Sequence, residues 1–85
     1  MKLIIKKTDL LHKPCERYDD LPDEFDAIEE IKKRGNNASD VSWLIANCEF
    51  ARTPDMLEYF KSLEPLAYDI RWLIAHCEFA RKYFN

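Results

Sequence analysis

The chain has 85 residues, of which 47% are apolar, 34% charged and 13% aromatic, and its formal net charge is −3. A single glycine and four prolines exclude collagen-like and low-complexity sequences, and they argue against a β-sandwich or barrel, whose tight turns need several glycines. Sixteen acidic residues against 13 basic ones are the reverse of the balance typical of duplex DNA binders. No apolar stretch approaches the roughly 18 residues of a membrane span, and no secretory signal is expected after Met1-Lys2. The composition therefore favours a small, all-α, single domain.

Residues 1–20 give the weakest structural signal. Leu3-Ile4-Ile5 fits a short strand, whereas a helix stopped by Pro14 would place Leu3, Ile4, Lys7, Leu10 and Leu11 on one face. A lone strand has no partner in a helical domain unless a second copy supplies one. Helix or irregular structure is therefore favoured for this N-terminal segment, with the short strand left open.

An acidic run follows this segment. Seven of the twelve residues from Asp19 to Glu30 are acidic, and Lys32-Lys33-Arg34 come directly after them. One interpretation is a helix with acids in its first turns and bases in its last, as the helix dipole favours. The other is an acidic patch for a basic partner, with Asp19, Asp20, Asp23 and Glu24 as its candidate partner-binding residues.

Two segments of the chain are nearly the same sequence. Ten of thirteen positions are identical between residues 40–52 (Asp-Val-Ser-Trp-Leu-Ile-Ala-Asn-Cys-Glu-Phe-Ala-Arg) and residues 69–81 (Asp-Ile-Arg-Trp-Leu-Ile-Ala-His-Cys-Glu-Phe-Ala-Arg). A weaker likeness upstream aligns Phe25, Ile28 and Ile31 after Pro22 with Leu57, Phe60 and Leu63 after Pro54. The pattern predicts an internal duplication of a helical hairpin, residues 21–52 and 53–85, packed as a small four-helix bundle.

Capping residues predict where these helices begin and end. Asp40 and Asp69 are candidate N-caps for the second helix of each hairpin, and Thr53 is one with Pro54 at the first helical position. Gly35 is expected in a left-handed conformation just past the first helix. Pro65 is expected to end the third helix near Glu64.

The second helix of each hairpin is unusually apolar. At 100° per residue its apolar side chains cover about 220° of the circumference, so it needs neighbours on two or three sides, from its own chain, a partner protein or a homodimer. Asn47 and His76 lie at equivalent places within these faces. Each is either a polar group satisfied in a helix contact or the polar member of an aromatic groove for a partner helix. The candidate groove residues are Trp43, Asn47, Phe50, Trp72, His76 and Phe79.

Cysteine use indicates a reducing compartment. Cys15, Cys48 and Cys77 are an odd number without CxxC spacing, which favours a cytoplasmic protein, in the host cytoplasm if it is viral. Cys48 and Cys77 are expected to be buried in the middle of their helices. His12 and His76 add zinc-ligand types, but the adjacent His76 and Cys77 would point about 100° apart on a helix. No catalytic residues, metal site or cofactor are predicted.

The leading hypothesis is a small, non-enzymatic protein–protein interaction module that binds a partner protein or self-associates through apolar and aromatic helix faces. One alternative is an inhibitor encoded by a phage or mobile element, of the anti-CRISPR or antirestriction kind, acting on a host defence or nucleic-acid enzyme through the acidic patch. A second alternative is a small thiol- or zinc-binding protein. Neither direct binding to duplex DNA nor a membrane partner is expected.

Overall fold

The computed structural model describes residues 1–84, and this part of the chain is mostly helical, as predicted. Five α-helices are present in it: α1 (Ala27–Lys33), α2 (Ala38–Asn47), α3 (Pro54–Ser62), α4 (Ala67–His76) and α5 (Glu78–Tyr83). Three single-turn 3₁₀ helices lie at Lys7–Asp9, Glu16–Tyr18 and Glu49–Ala51. Within residues 1–84, none of the helices has the length and apolarity needed to cross a bilayer.

The chain also contains a two-stranded antiparallel sheet. Strand β1 (Ile4–Lys6) pairs with β2 (Glu24–Asp26), with Ile5 opposite Phe25. Both of these side chains are buried, while Ile4 and Lys6 on the other face are exposed. Successive side chains of a strand point to opposite faces, so a strand lets this segment bury one face in the core and expose the other to solvent. The preference for helix or irregular structure here is wrong, because the missing strand partner lies within the same chain.

Residue Asp26 joins the sheet to the first helix. Its Oδ1 accepts from the backbone N–H of Ile28 at 3.1 Å, as an N-cap, and from the N–H of Leu3 at 3.1 Å. One carboxylate thus starts α1 and fixes the beginning of β1. The first helix begins at Ala27 rather than near Pro22, because residues 24–26 are used in strand pairing.

Most of the predicted turns are confirmed. Gly35 has φ of 116° just after α1, and Thr53 caps α3 by accepting from the Met56 N–H at 3.2 Å, with Pro54 at the first helical position. Helix α3 ends at Ser62, two residues before Glu64. The N-cap prediction for the other two helices is wrong. Helices α2 and α4 begin at Ala38 and Ala67, which places Asp40 and Asp69 inside the first turn.

Each of the two similar segments contains a helix end that periodicity did not predict. Helices α2 and α4 stop before Cys48 and Cys77, whose backbone angles are nearly equal (φ −144°, ψ 114° and φ −146°, ψ 109°). The Arg52 guanidinium caps the end of α2 through bonds of 3.1 Å to the Ile45 carbonyl and 2.9 Å to that of Ala46. Arg81 repeats the first bond, to the carbonyl of Ile74 at 3.2 Å. Both arginines satisfy carbonyls that a helix end leaves without intrahelical donors.

Helix α2 lies at the centre of the molecule. It packs against α3 and α4, and α5 packs against α4. The largest fully buried side chains come from α1 to α4 and the break after α2: Ile28, Val41, Ile45, Cys48, Met56, Leu57, Phe60 and Leu73. Cys48 and Cys77 are both buried, as expected, although each follows a helix rather than lying inside one.

Candidate partner-binding site

The two Trp-Leu-Ile-Ala segments are buried to different extents. In α2, the exposed fractions of Leu44, Ile45 and Ala46 are 5%, 0% and 8%. In α4, Leu73 is fully buried, but Ile74 is only partly buried and Ala75 is exposed. Because the residues and the helix ends are the same, the difference comes from the neighbours. Helix α2 has neighbours on several sides, whereas α4 presents part of its apolar surface to solvent.

One of the neighbours of α2 is the segment Leu10–Cys15, which we call the N-terminal strap. Its His12 Nδ1 bonds to Asn47 Oδ1 at 2.7 Å, and the N–H of Leu11 donates to the Asn47 carbonyl at 2.8 Å. Further along, the strap lines a cavity together with Ser39 and Trp43. The strap therefore bonds to Asn47 and faces Ser39 and Trp43 across the cavity. These three residues follow each other at intervals of four on α2, and we call them the α2 stripe.

The hydrogen bonds of Asn47 define its orientation. Its Nδ2 donates to the Trp43 carbonyl at 2.9 Å, so Oδ1 is the acceptor and the His12 ring donates from Nδ1. With 8% of the residue exposed, Asn47 is a buried polar group with both ends of its amide bonded. Asn47 is thus a satisfied polar residue, but its side-chain partner is His12 of the strap rather than a residue of a neighbouring helix. No sequence pattern relates two residues so far apart in the chain.

The corresponding residues of α4 are exposed to solvent. Tyr68, Trp72 and His76, the α4 stripe, are each 29 positions after a member of the α2 stripe. Tyr68 is 66% exposed, His76 is exposed, and the His76 ring stacks on the partly buried Trp72 at 4.5 Å between centroids. Of the predicted groove residues, Trp72 and His76 lie on this stripe together with Tyr68, which sequence reasoning missed although its helical spacing was visible.

The two phenylalanines of the predicted groove do not continue these stripes. Since α2 and α4 end before the cysteines, Phe50 and Phe79 lie on separate helical turns. Phe50 is 53% exposed on its 3₁₀ helix, and Phe79 is partly buried in α5. Their assumed positions on one face with Trp43 and Trp72 are wrong, because the helix is interrupted between them.

The acidic candidates lie outside the helices. Asp19, Asp20 and Asp23 are in the connection to β2, Glu24 is in β2, and all four are exposed. Asp20 forms an ion pair of 3.0 Å with Arg34, and Glu24 is opposite Lys6 in the sheet. The helix-dipole interpretation fails for these four residues and applies only within α1, whose first turn contains Glu29 and Glu30 and whose last turn contains Lys32 and Lys33.

A second polar cluster connects the segment between β1 and β2 with α2. Asp40 accepts from Arg17 Nη2 at 2.6 Å and from the Tyr18 hydroxyl at 2.7 Å. Burial and the bond to Asp40 raise the pKa of Tyr18 well above its ordinary value. Because each group has a partner, the cluster is suited to holding the segment 15–18 on α2. It offers no activated base or nucleophile.

The cysteines and histidines are dispersed. Cys15 is exposed, Cys48 and Cys77 are buried, and burial raises the pKa of the Cys48 thiol. Among residues 1–84, no three histidine, cysteine or acidic side chains are grouped so that they could hold a metal ion. His12 is bonded to Asn47, whereas His76 lies against Trp72.

Comparison with known proteins finds no matching family model, no matching curated sequence and no matching solved structure. What the protein does must therefore be inferred from its own residues and their geometry.

Proposed function

We propose that the protein is a non-enzymatic interaction module whose α4 stripe binds an extended apolar segment of a partner protein. The observation that carries the proposal is that the strap bonds to the buried Asn47, whereas its equivalent on α4, His76, is exposed, as is Ala75 where Ala46 is buried. We further infer that the two segments are copies of one helical hairpin. Their sequence identity, equal helix ends and equivalent arginine caps support this inference.

The contacts of the strap indicate the chemistry of the partner segment. On α2, a backbone N–H bonds to the carbonyl of the last helical residue, a side chain bonds to the polar residue of the stripe, and Leu10 and Pro14 share a cavity lining with Trp43. Transferred to α4, the same mode needs a backbone N–H for the His76 carbonyl and an apolar side chain over Trp72. The imidazole of His76 can donate or accept where Asn47 accepts from His12.

Size and composition suggest a transient contact. Tyrosine and tryptophan are the residues that most often dominate binding energy, and both occur in the stripe. A single helix stripe of about three turns is nevertheless smaller than a standard interface of about 800 Å² per partner. We therefore expect reversible binding in the micromolar to millimolar range rather than an obligate complex.

The strap itself supplies a defined probe. A synthetic peptide with the sequence of residues 8–17, carrying serine in place of Cys15, is titrated into the isotope-labelled full chain and followed by NMR. The two indole N–H signals serve as internal comparison: that of Trp72 is expected to move and that of Trp43 to stay. Ala75→Lys, at an exposed position beside the stripe, should weaken binding at least fivefold. The matched variant Ala67→Lys, also exposed but about 140° around α4 from the middle of the stripe, should not.

Three results would contradict the proposal: no change up to millimolar peptide, equal changes at both indoles, or unaltered binding to Ala75→Lys. Sedimentation equilibrium of the chain alone tests for self-association. A dimer that Ala75→Lys dissociates would assign the stripe to a second copy instead of a different protein.

A further inference from the structure

Beneath the strap lies a cavity of about 180 Å³ that the partner-binding proposal does not use. It is bounded by the strap and residues 18–21 on one side, by β2 and α1 on another, and by the start of α2 on the third. Three aromatic side chains, Tyr18, Phe25 and Trp43, line it, together with aliphatic residues such as Ile31 and Leu44. Cys15 lies on the same lining and is exposed to solvent.

The cavity opens to solvent, because Cys15 and Ser39 on its lining are exposed, while most of the remaining lining is apolar. Water held against an apolar lining finds few polar partners, so an apolar molecule that displaces it gains free energy. Small-molecule sites in proteins are typically concave and mostly apolar. The cavity therefore has the size and surface of a site for a small apolar molecule.

The two charged groups on the cavity lining, Glu30 and Asp40, already have partners. Glu30 bonds to Arg34 at 3.3 Å and lies 3.5 Å from Lys33, while Asp40 is held by Arg17 and the Tyr18 hydroxyl. A charged ligand would have to displace one of these pairs and lose its own hydration in an apolar space. An uncharged ligand needs neither.

We propose that this cavity binds one uncharged aromatic molecule of one or two fused rings. The aromatic lining favours a planar ring, because offset and edge-to-face contacts add to the burial of apolar area. The ligand would lie between the strap and α2, so its binding stabilises the packing of the N-terminal segment. The site is separate from the α4 stripe, which contributes no residue to the lining.

Indole is the first probe, with benzoate and benzylamine as charged ring compounds of similar size. Two readouts are combined: the thermal midpoint, and the rate at which a maleimide alkylates Cys15, measured by mass spectrometry of the Cys15 peptide. Saturating indole is expected to raise the midpoint by several degrees and to slow Cys15 alkylation at least threefold. The charged compounds are expected to change neither.

Cavity-filling variants link the effect to this space. Ala27 is a buried first residue of α1 on the lining, and Ala67 is the exposed first residue of α4. Ala27→Leu should abolish both effects of indole, whereas Ala67→Leu should retain them. If Ala27→Leu does not fold, Leu10→Phe fills the cavity from the strap side and takes its place.

The proposal is overturned if saturating indole changes neither readout in the native chain. It is also overturned if benzoate acts as strongly as indole, or if both effects persist in a folded filling variant. Because the peptide titration reports on Trp72 and the alkylation reports on Cys15, either proposal can fail without the other.

Discussion

Asn47 and His76 occupy equivalent positions in two nearly identical segments, and replacing each by alanine separates the effect of sequence from that of environment. Asn47→Ala removes the bond to His12 and the bond to the Trp43 carbonyl, and leaves the backbone bond from Leu11 in place. Each side-chain bond contributes about 0.5–1.5 kcal/mol net. The higher helix propensity of alanine offsets about 0.5 kcal/mol of this loss. The expected loss of unfolding free energy is therefore about 0.5–2.5 kcal/mol, with a central value of about 1.5 kcal/mol.

His76→Ala is the matched control. The His76 side chain is exposed and stacks on Trp72, so its removal should change the unfolding free energy by no more than about 0.5 kcal/mol. In a domain of this size, 1 kcal/mol corresponds to about 4–8 °C in the midpoint. At the central value, Asn47→Ala should thus lower the midpoint by about 6–12 °C, and His76→Ala by no more than about 4 °C.

Urea unfolding at pH 7.5, followed by far-UV circular dichroism, measures both free energies. A double-mutant cycle with His12→Ala then isolates the bond across the strap, with an expected coupling of about 1 kcal/mol. Equal losses for the two alanine variants, or a coupling near zero, would refute the conclusion that the strap is fixed to α2 through Asn47.

Three further predictions follow from other contacts. Ala46→Lys buries a charge at the centre of the molecule and should lower the free energy of unfolding in urea by about 3 kcal/mol or more. Ala75→Lys should change it by no more than about 0.5 kcal/mol, because Ala75 is exposed. Similar losses for the two variants would contradict the unequal burial of α2 and α4. The pKa of Tyr18 is raised in the folded state, so the unfolded chain loses this proton first as the pH rises. The contribution of Tyr18 to the free energy of unfolding is therefore fully present below pH about 10 and falls above that value. Tyr18→Phe should flatten this decline in a stability–pH series, and an unchanged slope would refute the assignment. Asp26→Ala should cost about 1–2 kcal/mol and speed hydrogen exchange at the Leu3 amide, and unaltered exchange there would show that Asp26 does not hold β1.

Features that depend on neighbouring residues were predictable from the sequence. Gly35 adopts a positive φ after α1, and Thr53-Pro54 begins α3, because capping and turn conformations are decided within a few residues. The burial of Cys48 and Cys77 follows from their apolar surroundings. The helix ends at these cysteines were missed because helical periodicity continues through them, while Arg52 and Arg81 bond back to carbonyls seven residues earlier.

Features that depend on distant residues required the tertiary structure. The pairing of Ile5 with Phe25 supplied the strand partner whose absence had counted against a sheet. The bond between His12 and Asn47 decided that the strap covers α2.

The clearest division between sequence and tertiary structure concerns the Trp-Leu-Ile-Ala segments. The sequence by itself determined that both would be helices with a wide apolar face. Only the tertiary structure decided that Ala46 is buried and Ala75 is exposed, because burial depends on what packs against a residue as well as on the residue itself. That difference leaves Ala75 and His76 of α4 exposed, whereas Ala46 and Asn47 of α2 are buried.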